Sequence, residues 1–119
     1  MKRPNKKVIA SLVEQAQDVV ESALTNKLLG KTTGNSQFAN LAGICQSASC
    51  PEEIESWLRY QVGRSLWKND FYRQSTEALK NAVGDQADSD TKLAAWRLFA
   101  VYMAREYRYQ NALAGGNPQ

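Results

Sequence analysis

Histidine is absent from this chain of 119 residues. That absence excludes His-dependent acid–base catalysis, Ser-His-Asp triads and His-ligated metal sites. The only cysteines, Cys45 and Cys50, miss the C-x-x-C spacing of redox and zinc sites. We expect free thiols in a reducing cytosol, with a disulfide in an exported protein as the alternative. The sequence therefore predicts no enzyme, no metal site and no cofactor.

Long apolar runs are also missing. No window approaches the roughly 18 apolar residues that read as a membrane-spanning helix. The basic residues 1–7 are followed by a segment that already carries Glu14 and Gln15, which differs from the apolar core of a secretory signal. The seven glycines are scattered and form no phosphate-cradling loop. We expect a cytoplasmic protein with no membrane contact.

The composition is that of one ordinary globular domain. Hydrophobic residues make up 43% of the chain and charged residues 23%. Fifteen Lys and Arg against twelve Asp and Glu leave a net charge of +3, which is mildly basic. We predict a single helical domain over residues 1–113, of which 1–6 form a basic flexible arm, followed by a disordered tail over 114–119.

Apolar residues recur at three- and four-residue spacing along nearly the whole chain, which predicts helices, and no strand-like alternation is present. The fold class is therefore all-α, a compact bundle of about five helices. The predicted helices span 7–29, 36–46, 51–63, 71–83 and 91–112.

The expected helix ends follow from capping residues. Gly30 is placed to end the first helix at its C′ position. Ser49 and Glu52 have the spacing of a capping box for the third helix. Ser89 or Asp90 is expected to cap the last helix.

The last helix carries the most informative pattern. At roughly 100° per residue, one wide apolar face is predicted to face the core. That face contains Leu93, Trp96, Ala100, Met103 and Tyr107. A second apolar sector contains Leu98, Tyr102 and Tyr109. Between the two sectors, within roughly 80° of arc, lies a basic strip of Arg97, Arg105 and Arg108.

Arginine and tyrosine alternate in two parts of the chain. This combination favours binding to a nucleic-acid backbone, because guanidinium groups pair with phosphate while tyrosine stacks or donates a hydrogen bond. Arg64 and Lys68 are four residues apart and are expected to share a helix face. The alternative is a solvated amphipathic strip with cation–π pairs inside the protein. Trp57, Trp67, Trp96 and Phe99 are expected in the core. The candidate nucleic-acid contacts are Arg59, Tyr60, Arg64, Lys68, Arg97, Arg105, Arg108 and Tyr109.

Three segments are similar to those of a known family. They are Ser36–Leu41, Trp57–Arg64 and Trp96–Tyr109, and together the chain resembles, over roughly residues 32–111, the small subunits of type III CRISPR effector complexes. The resemblance implies an all-helical subunit without catalytic activity that stacks with neighbouring copies of itself and other subunits. It also implies that basic surface residues support the duplex of guide RNA and target nucleic acid, and Arg59 and Arg64 match the motif of the family best.

Two other functions remain open. A protein–protein adaptor would pair its arginines inside the bundle with the carboxylates of Glu14, Asp18, Glu21 or Glu77. A small DNA-binding regulator would use the third and fourth helices as a helix-turn-helix, with residues 67–70 as the turn.

Overall fold

Five helices make up the regular structure in the computed structural model, which describes residues 3–31 and 33–115. The prediction of an all-α bundle is confirmed. Residues 1 and 2 of the predicted arm and residues 116–119 of the predicted tail lie outside the described residues. The helices are α1 (Lys6–Thr25), α2 (Asn35–Ser47), α3 (Pro51–Gly63), α4 (Asn69–Val83) and α5 (Ser89–Leu113).

Helix α5 is the central element and packs against all four other helices. Its 25 residues, at about 1.5 Å per residue, give a length of about 37 Å, which matches the 38 Å longest dimension of the molecule. The apolar face predicted for this helix is buried. Ala95 and Phe99 are fully buried as well, and no residue between positions 93 and 100 is exposed.

Aromatic residues join α2, α4 and α5 into one core. The rings of Phe38 and Tyr107 stack with their centroids 4.8 Å apart, and the rings of Trp67 and Phe71 lie 4.9 Å apart. Burial raises the pKa of the Tyr107 hydroxyl. The predicted core positions Trp67, Trp96 and Phe99 are confirmed, whereas Trp57 is only half-buried.

The first helix ends earlier than the sequence predicts. Its last residue is Thr25, and Lys27 adopts the left-handed conformation (φ 54°) that Gly30 was expected to supply. The Leu28 N–H then donates to the Ala23 carbonyl at 2.8 Å, which satisfies a carbonyl of the last turn. The prediction for Gly30 is wrong.

Gly30 instead allows two loops to approach each other. Its N–H donates to the Leu66 carbonyl at 2.9 Å, and the Lys68 N–H donates to the Leu28 carbonyl at 2.7 Å. A Cβ atom at position 30 would lie only 2.7 Å from the Leu66 oxygen and closer still to the Ser65 oxygen. Any other residue would therefore force apart the segments that precede α2 and α4.

The N-terminal caps of α3 and α5 also differ from the predicted ones. Pro51 occupies the first turn of α3, where its missing N–H is no loss, so that Cys50 becomes the N-cap. The carboxylate of Glu53, and not that of Glu52, accepts from the Ser49 N–H at 2.8 Å. The capping box predicted for Ser49 and Glu52 is therefore wrong.

Helix α5 begins one residue after Asp88, which is its N-cap in place of the predicted Ser89 or Asp90. The Asp88 carboxylate accepts from the Thr91 N–H at 2.8 Å. The hydrogen bonds from Thr91 lower the pKa of Asp88, because they favour its charged form.

The cysteine thiols, the acidic side chains and the apolar character of the helices also bear on the predictions. Cys45 and Cys50 are both free thiols, and burial raises the pKa of Cys45 to about 12. Within residues 3–31 and 33–115, no cluster of three or more Cys, Asp or Glu side chains could hold a metal ion. None of the five helices combines the length and apolar character needed to cross a bilayer.

Candidate nucleic-acid interface

The predicted basic strip of α5 lies along α2, and the two helices run in opposite directions. Arg97 contacts the C-terminal end of α2 at Cys45 and Ala48. Arg105 and Arg108 lie about 12–17 Å further along α5, given the rise of 1.5 Å per residue, beside the N-terminal end of α2. The three arginines therefore meet opposite ends of the α2 dipole.

Arg97 is a structural residue. Its half-buried guanidinium group donates from Nε to the Cys45 carbonyl at 3.0 Å and from Nη2 to the Ala48 carbonyl at 3.3 Å. A cation at a helix C-terminus is stabilised by the dipole and satisfies carbonyls that have no partner within the helix. Two of its guanidinium donors therefore bind the end of α2, and the role of Arg97 as a phosphate contact stays a prediction.

Arg105 and Arg108 have the opposite electrostatic setting. They line a depression of about 430 Å³ together with Asn35, Ser36 and residues 39 and 104, and no acidic side chain lines it. The N-cap of α2 is Gly34, which offers no side chain to the free N–H groups of the first turn. The two guanidinium groups and the N-terminal end of α2 all carry positive charge and repel one another. The electrostatic potential in this depression is therefore favourable for an anion.

Asn35, in the same depression, has unusual hydrogen bonding. Both its Oδ1 and Nδ2 atoms are buried and have no hydrogen-bond partner among the described residues. A buried amide without partners destabilises the free protein, since its desolvation is not compensated. This end of α2 therefore has two unfavourable features in the free protein, the unsatisfied amide of Asn35 and the adjacent positive charges.

A second depression, of about 610 Å³, lies on the other flank of α2. Tyr60 of α3 and Arg64, the C-cap of α3, line one side of it, and Ala39 and Gly43 of α2 line the other. Tyr60 is 61% exposed, and the Arg64 guanidinium carbon lies 5.6 Å from the centre of its ring. No carboxylate is found among the residues that line this depression either.

The two depressions form one surface. Ala39 lines both of them, and α2 itself carries no charged residue. We call this surface the α2 face: the exposed side of α2 with Tyr60 and Arg64 on one flank and Arg105 and Arg108 on the other.

Arg59 and Lys68, two of the predicted nucleic-acid contacts, lie outside the α2 face. Arg59 lines a separate depression with Glu52 and Glu55, so its surroundings include two carboxylates. Lys68 does not share a helix face with Arg64, because α3 ends at Gly63 and the chain turns before Lys68, the N-cap of α4. The expectation of a shared face is wrong.

Tyr109 also lies apart from the arginines it was expected to support. It is 59% exposed and lines a depression with Gln17, Glu21 and Glu106. The tyrosine that Arg105 approaches is Tyr102, at 6.0 Å from the ring centre. Tyr109 therefore belongs to an acidic surface and not to the α2 face.

The carboxylates that an adaptor would bury are on the outside. Glu14, Asp18, Glu21 and Glu77 are all exposed. An adaptor was expected to pair these four carboxylates with arginines inside the bundle. Because all four are exposed, they form no such buried pairs.

Sequence reasoning missed the contribution of α2. Asn35, Ser36, Ala39 and Gly43 are neither charged nor aromatic and were not candidates. The available signal was the absence of charged residues over residues 35–47, in a chain that is otherwise rich in charge.

Comparisons with other proteins provide no evidence about function. No family model, curated protein or solved structure matches this chain. The functional argument therefore depends on the α2 face.

Proposed function

We propose that this chain is a non-catalytic RNA-binding subunit that holds the phosphate backbone on the α2 face. The observation that carries the proposal is the position of Arg105 and Arg108 beside the uncapped N-terminus of α2. Helix N-termini bind phosphate through their free N–H groups and their partial positive charge. Guanidinium groups add bidentate hydrogen bonds to the same phosphate oxygens.

The rest of the α2 face favours contact with the phosphate backbone of RNA over recognition of particular bases. Ala39 and Gly43 are small and leave the centre of the face open, while the charged groups stand at its two flanks. Phosphate contacts position a nucleic acid without distinguishing bases. Binding is therefore expected to tolerate changes of sequence and to weaken steeply with salt.

The resemblance to small subunits of type III CRISPR effector complexes supports the larger setting of this proposal, a cytoplasmic antiviral ribonucleoprotein. Its partners there are the guide RNA and target nucleic acid, other subunits and neighbouring copies of this chain, and cleavage is done by other chains. A net charge of +3 is modest for a nucleic-acid-binding protein. We therefore expect weak RNA binding by the isolated chain, strengthened in the assembly.

The direct test is a titration of fluorescently labelled RNA by anisotropy at several salt concentrations. The test variant is Arg105→Ala with Arg108→Ala. The matched control is Arg73→Ala with Lys80→Ala, because both residues are exposed on α4 and line neither depression of the α2 face. Each double variant removes two positive charges, so only the position of the charges differs.

We expect the Arg105 and Arg108 double variant to bind RNA at least about tenfold more weakly, because hydrogen bonds to charged groups contribute roughly 1.5–3 kcal/mol each. Its dependence of log affinity on log salt should become shallower by about 1.4, which corresponds to two lost phosphate contacts on a single strand. Circular dichroism should show unchanged helicity. Equal affinity of the two double variants would refute the proposal, as would loss of helicity together with binding.

A protein–protein adaptor is the second candidate function, and one observation favours it. Tyr109 and Leu113, which are 59% and 70% exposed, line the same depression at the end of α5. Exposed apolar side chains that cluster on a surface mark contact sites for proteins. Glu21 and Glu106 in this depression give it a negative charge, so a partner there would offer apolar and basic side chains.

A pull-down from cells that carry the natural genomic neighbourhood separates the two functions. Short RNAs with a repeat-derived end, recovered together with larger proteins, would support the effector-subunit proposal. Recovery of one protein partner without RNA would favour the adaptor. Binding that requires one particular duplex sequence would favour the helix-turn-helix regulator.

A further inference from the structure

Tyr60 has a position that phosphate binding alone does not explain. Its ring lies between the depression of the α2 face and the separate depression that Glu52 and Glu55 line. With 61% of its surface exposed, it is among the most exposed large apolar side chains of the described residues. A tyrosine that contributes so little to the core is available to a ligand.

Arg64 holds a guanidinium group next to this ring. The guanidinium carbon is 5.6 Å from the ring centre, and Nη1 donates to Oε1 of Gln61 at 3.3 Å. Since Gln61 is buried, the hydrogen bond ties Arg64 to the body of α3. The pair places an aromatic surface, which can stack on a base, beside a guanidinium group, which can bind a phosphate, and a single nucleotide contains both a base and a phosphate.

The path from Tyr60 to the arginines of α5 is open. A ligand that crosses α2 meets Ala39, Gly43 and the polar side chain of Asn40. A Cβ atom added at Gly43 would have no neighbour within 4 Å apart from its adjacent residues and the backbone of its own helix. The crossing is roughly 10–12 Å, the diameter of a helix with its side chains. Glu52 and Glu55 beyond Tyr60 repel phosphate and limit the path to the α2 face.

The exposed ring of Tyr60 favours a single strand over a duplex. The faces of paired bases are covered by their neighbours in the stack, so a duplex offers Tyr60 only its end. Unpaired bases expose a π-face to aromatic side chains, and this stacking tolerates any base. Arginine beside the aromatic ring strengthens such a site through contact with phosphate and through cation–π attraction.

We propose that the α2 face binds single-stranded RNA, with an unpaired base stacked on Tyr60 and phosphates held by Arg64 on one flank of α2 and by Arg105 and Arg108 on the other. The inference rests on the proposed function, namely that this face binds the phosphate backbone. It goes further in naming the form of the RNA and the residue that selects it.

The test compares two labelled probes by anisotropy: a single-stranded RNA of about 12 nucleotides, within the roughly 4–16 nucleotides of single-strand sites, and the blunt duplex of the same sequence. The variants are Tyr60→Ala and Tyr60→Phe. The matched control is Tyr109→Ala, because Tyr109 is equally exposed but lies in the acidic depression.

We expect the wild-type chain to bind the single strand about tenfold or more tightly than the duplex. Tyr60→Ala should weaken binding of the single strand by about 5- to 100-fold, and Tyr109→Ala should leave it unchanged. Tyr60→Phe keeps the aromatic ring and should therefore retain most of the affinity that Tyr60→Ala loses. Equal affinity for both probes, or equal effects of Tyr60→Ala and Tyr109→Ala, would overturn the inference. If the single-strand inference failed in this way but the Arg105 and Arg108 double variant still lost affinity, the proposed function would remain supported. Absence of binding to both probes would overturn the proposed function and the single-strand inference together.

Discussion

Replacement of Arg97 by alanine tests whether the arginines of α5 have different roles. The variant removes both hydrogen bonds from the guanidinium group to the end of α2, those to the carbonyls of Cys45 and Ala48. It also removes the cation from the negative end of the α2 dipole. We therefore expect the protein to lose stability.

The size of the loss follows from these contacts. A hydrogen bond to a charged group contributes about 1.5–3 kcal/mol, and a cation at a helix C-terminus about 0.3–1 kcal/mol. Arg97 is only half-buried, and water would replace part of its hydrogen bonding to the carbonyls in the variant. We expect the free energy of unfolding to fall by about 1–3 kcal/mol in total.

Urea denaturation followed by circular dichroism measures this difference. With a slope of about 1–3 kcal/mol per molar urea, the midpoint should fall by about 1 M while the slope stays constant. The urea midpoint of Arg97→Lys should lie between those of the wild-type protein and Arg97→Ala. Lysine keeps the positive charge but lacks the planar guanidinium group that reaches both carbonyls.

The matched comparison is Arg105→Ala with Arg108→Ala. These residues lie beside the positive end of α2, so their removal should leave stability unchanged or raise it slightly. An unchanged midpoint in Arg97→Ala would refute the capping role. An equal loss of stability in the Arg105 and Arg108 double variant would refute the distinction between the two ends of α2.

Two further predictions concern glycine and cysteine. Gly30→Ala should destabilise the fold by about 2–4 kcal/mol, because the added Cβ would separate the two loops and break their hydrogen bonds. Gly43→Ala should stabilise it by about 0.5–1 kcal/mol, since its site in α2 is open, and calorimetry that showed the same sign for both would contradict this reasoning. Iodoacetamide should modify Cys50 in the native protein and Cys45 only after unfolding, because Cys45 is buried and its pKa is about 12. Mass spectrometry that found Cys45 alkylated as fast as Cys50 would contradict the second prediction.

The helices were predictable because their apolar residues recur with the helical period. The face of α5 from Leu93 to Tyr107 is buried as expected, since a long helix with a regular apolar stripe has few alternative arrangements. Helix ends were less predictable, because a loop contact determines them. Gly30 is a good C-terminal residue in isolation, but its approach to Leu66 has no local signal, and Lys27 takes the left-handed position instead.

The candidate site was predictable in its residue types and not in its grouping. Tyr60, Arg64, Arg105 and Arg108 come together around α2. Helical periodicity gives the direction in which a side chain leaves its own helix, but it contains no information about what lies beside that helix. Tyr109 shows the consequence, since it follows Arg108 directly in the chain but lies on a different surface.

The orientation of α2 explains why one strip of arginines has two roles. Because α2 runs antiparallel to α5, Arg97 meets negative partial charge and free carbonyls, whereas Arg105 and Arg108 meet positive partial charge and free N–H groups. The first contact stabilises the fold and leaves fewer donors for a ligand. The second is unfavourable in the free protein, and under the proposed function it becomes favourable when the helix end and both guanidinium groups bind the same phosphate. Stability and RNA binding should therefore respond in opposite ways to substitutions along one face of α5, which a uniformly solvated basic strip would not produce.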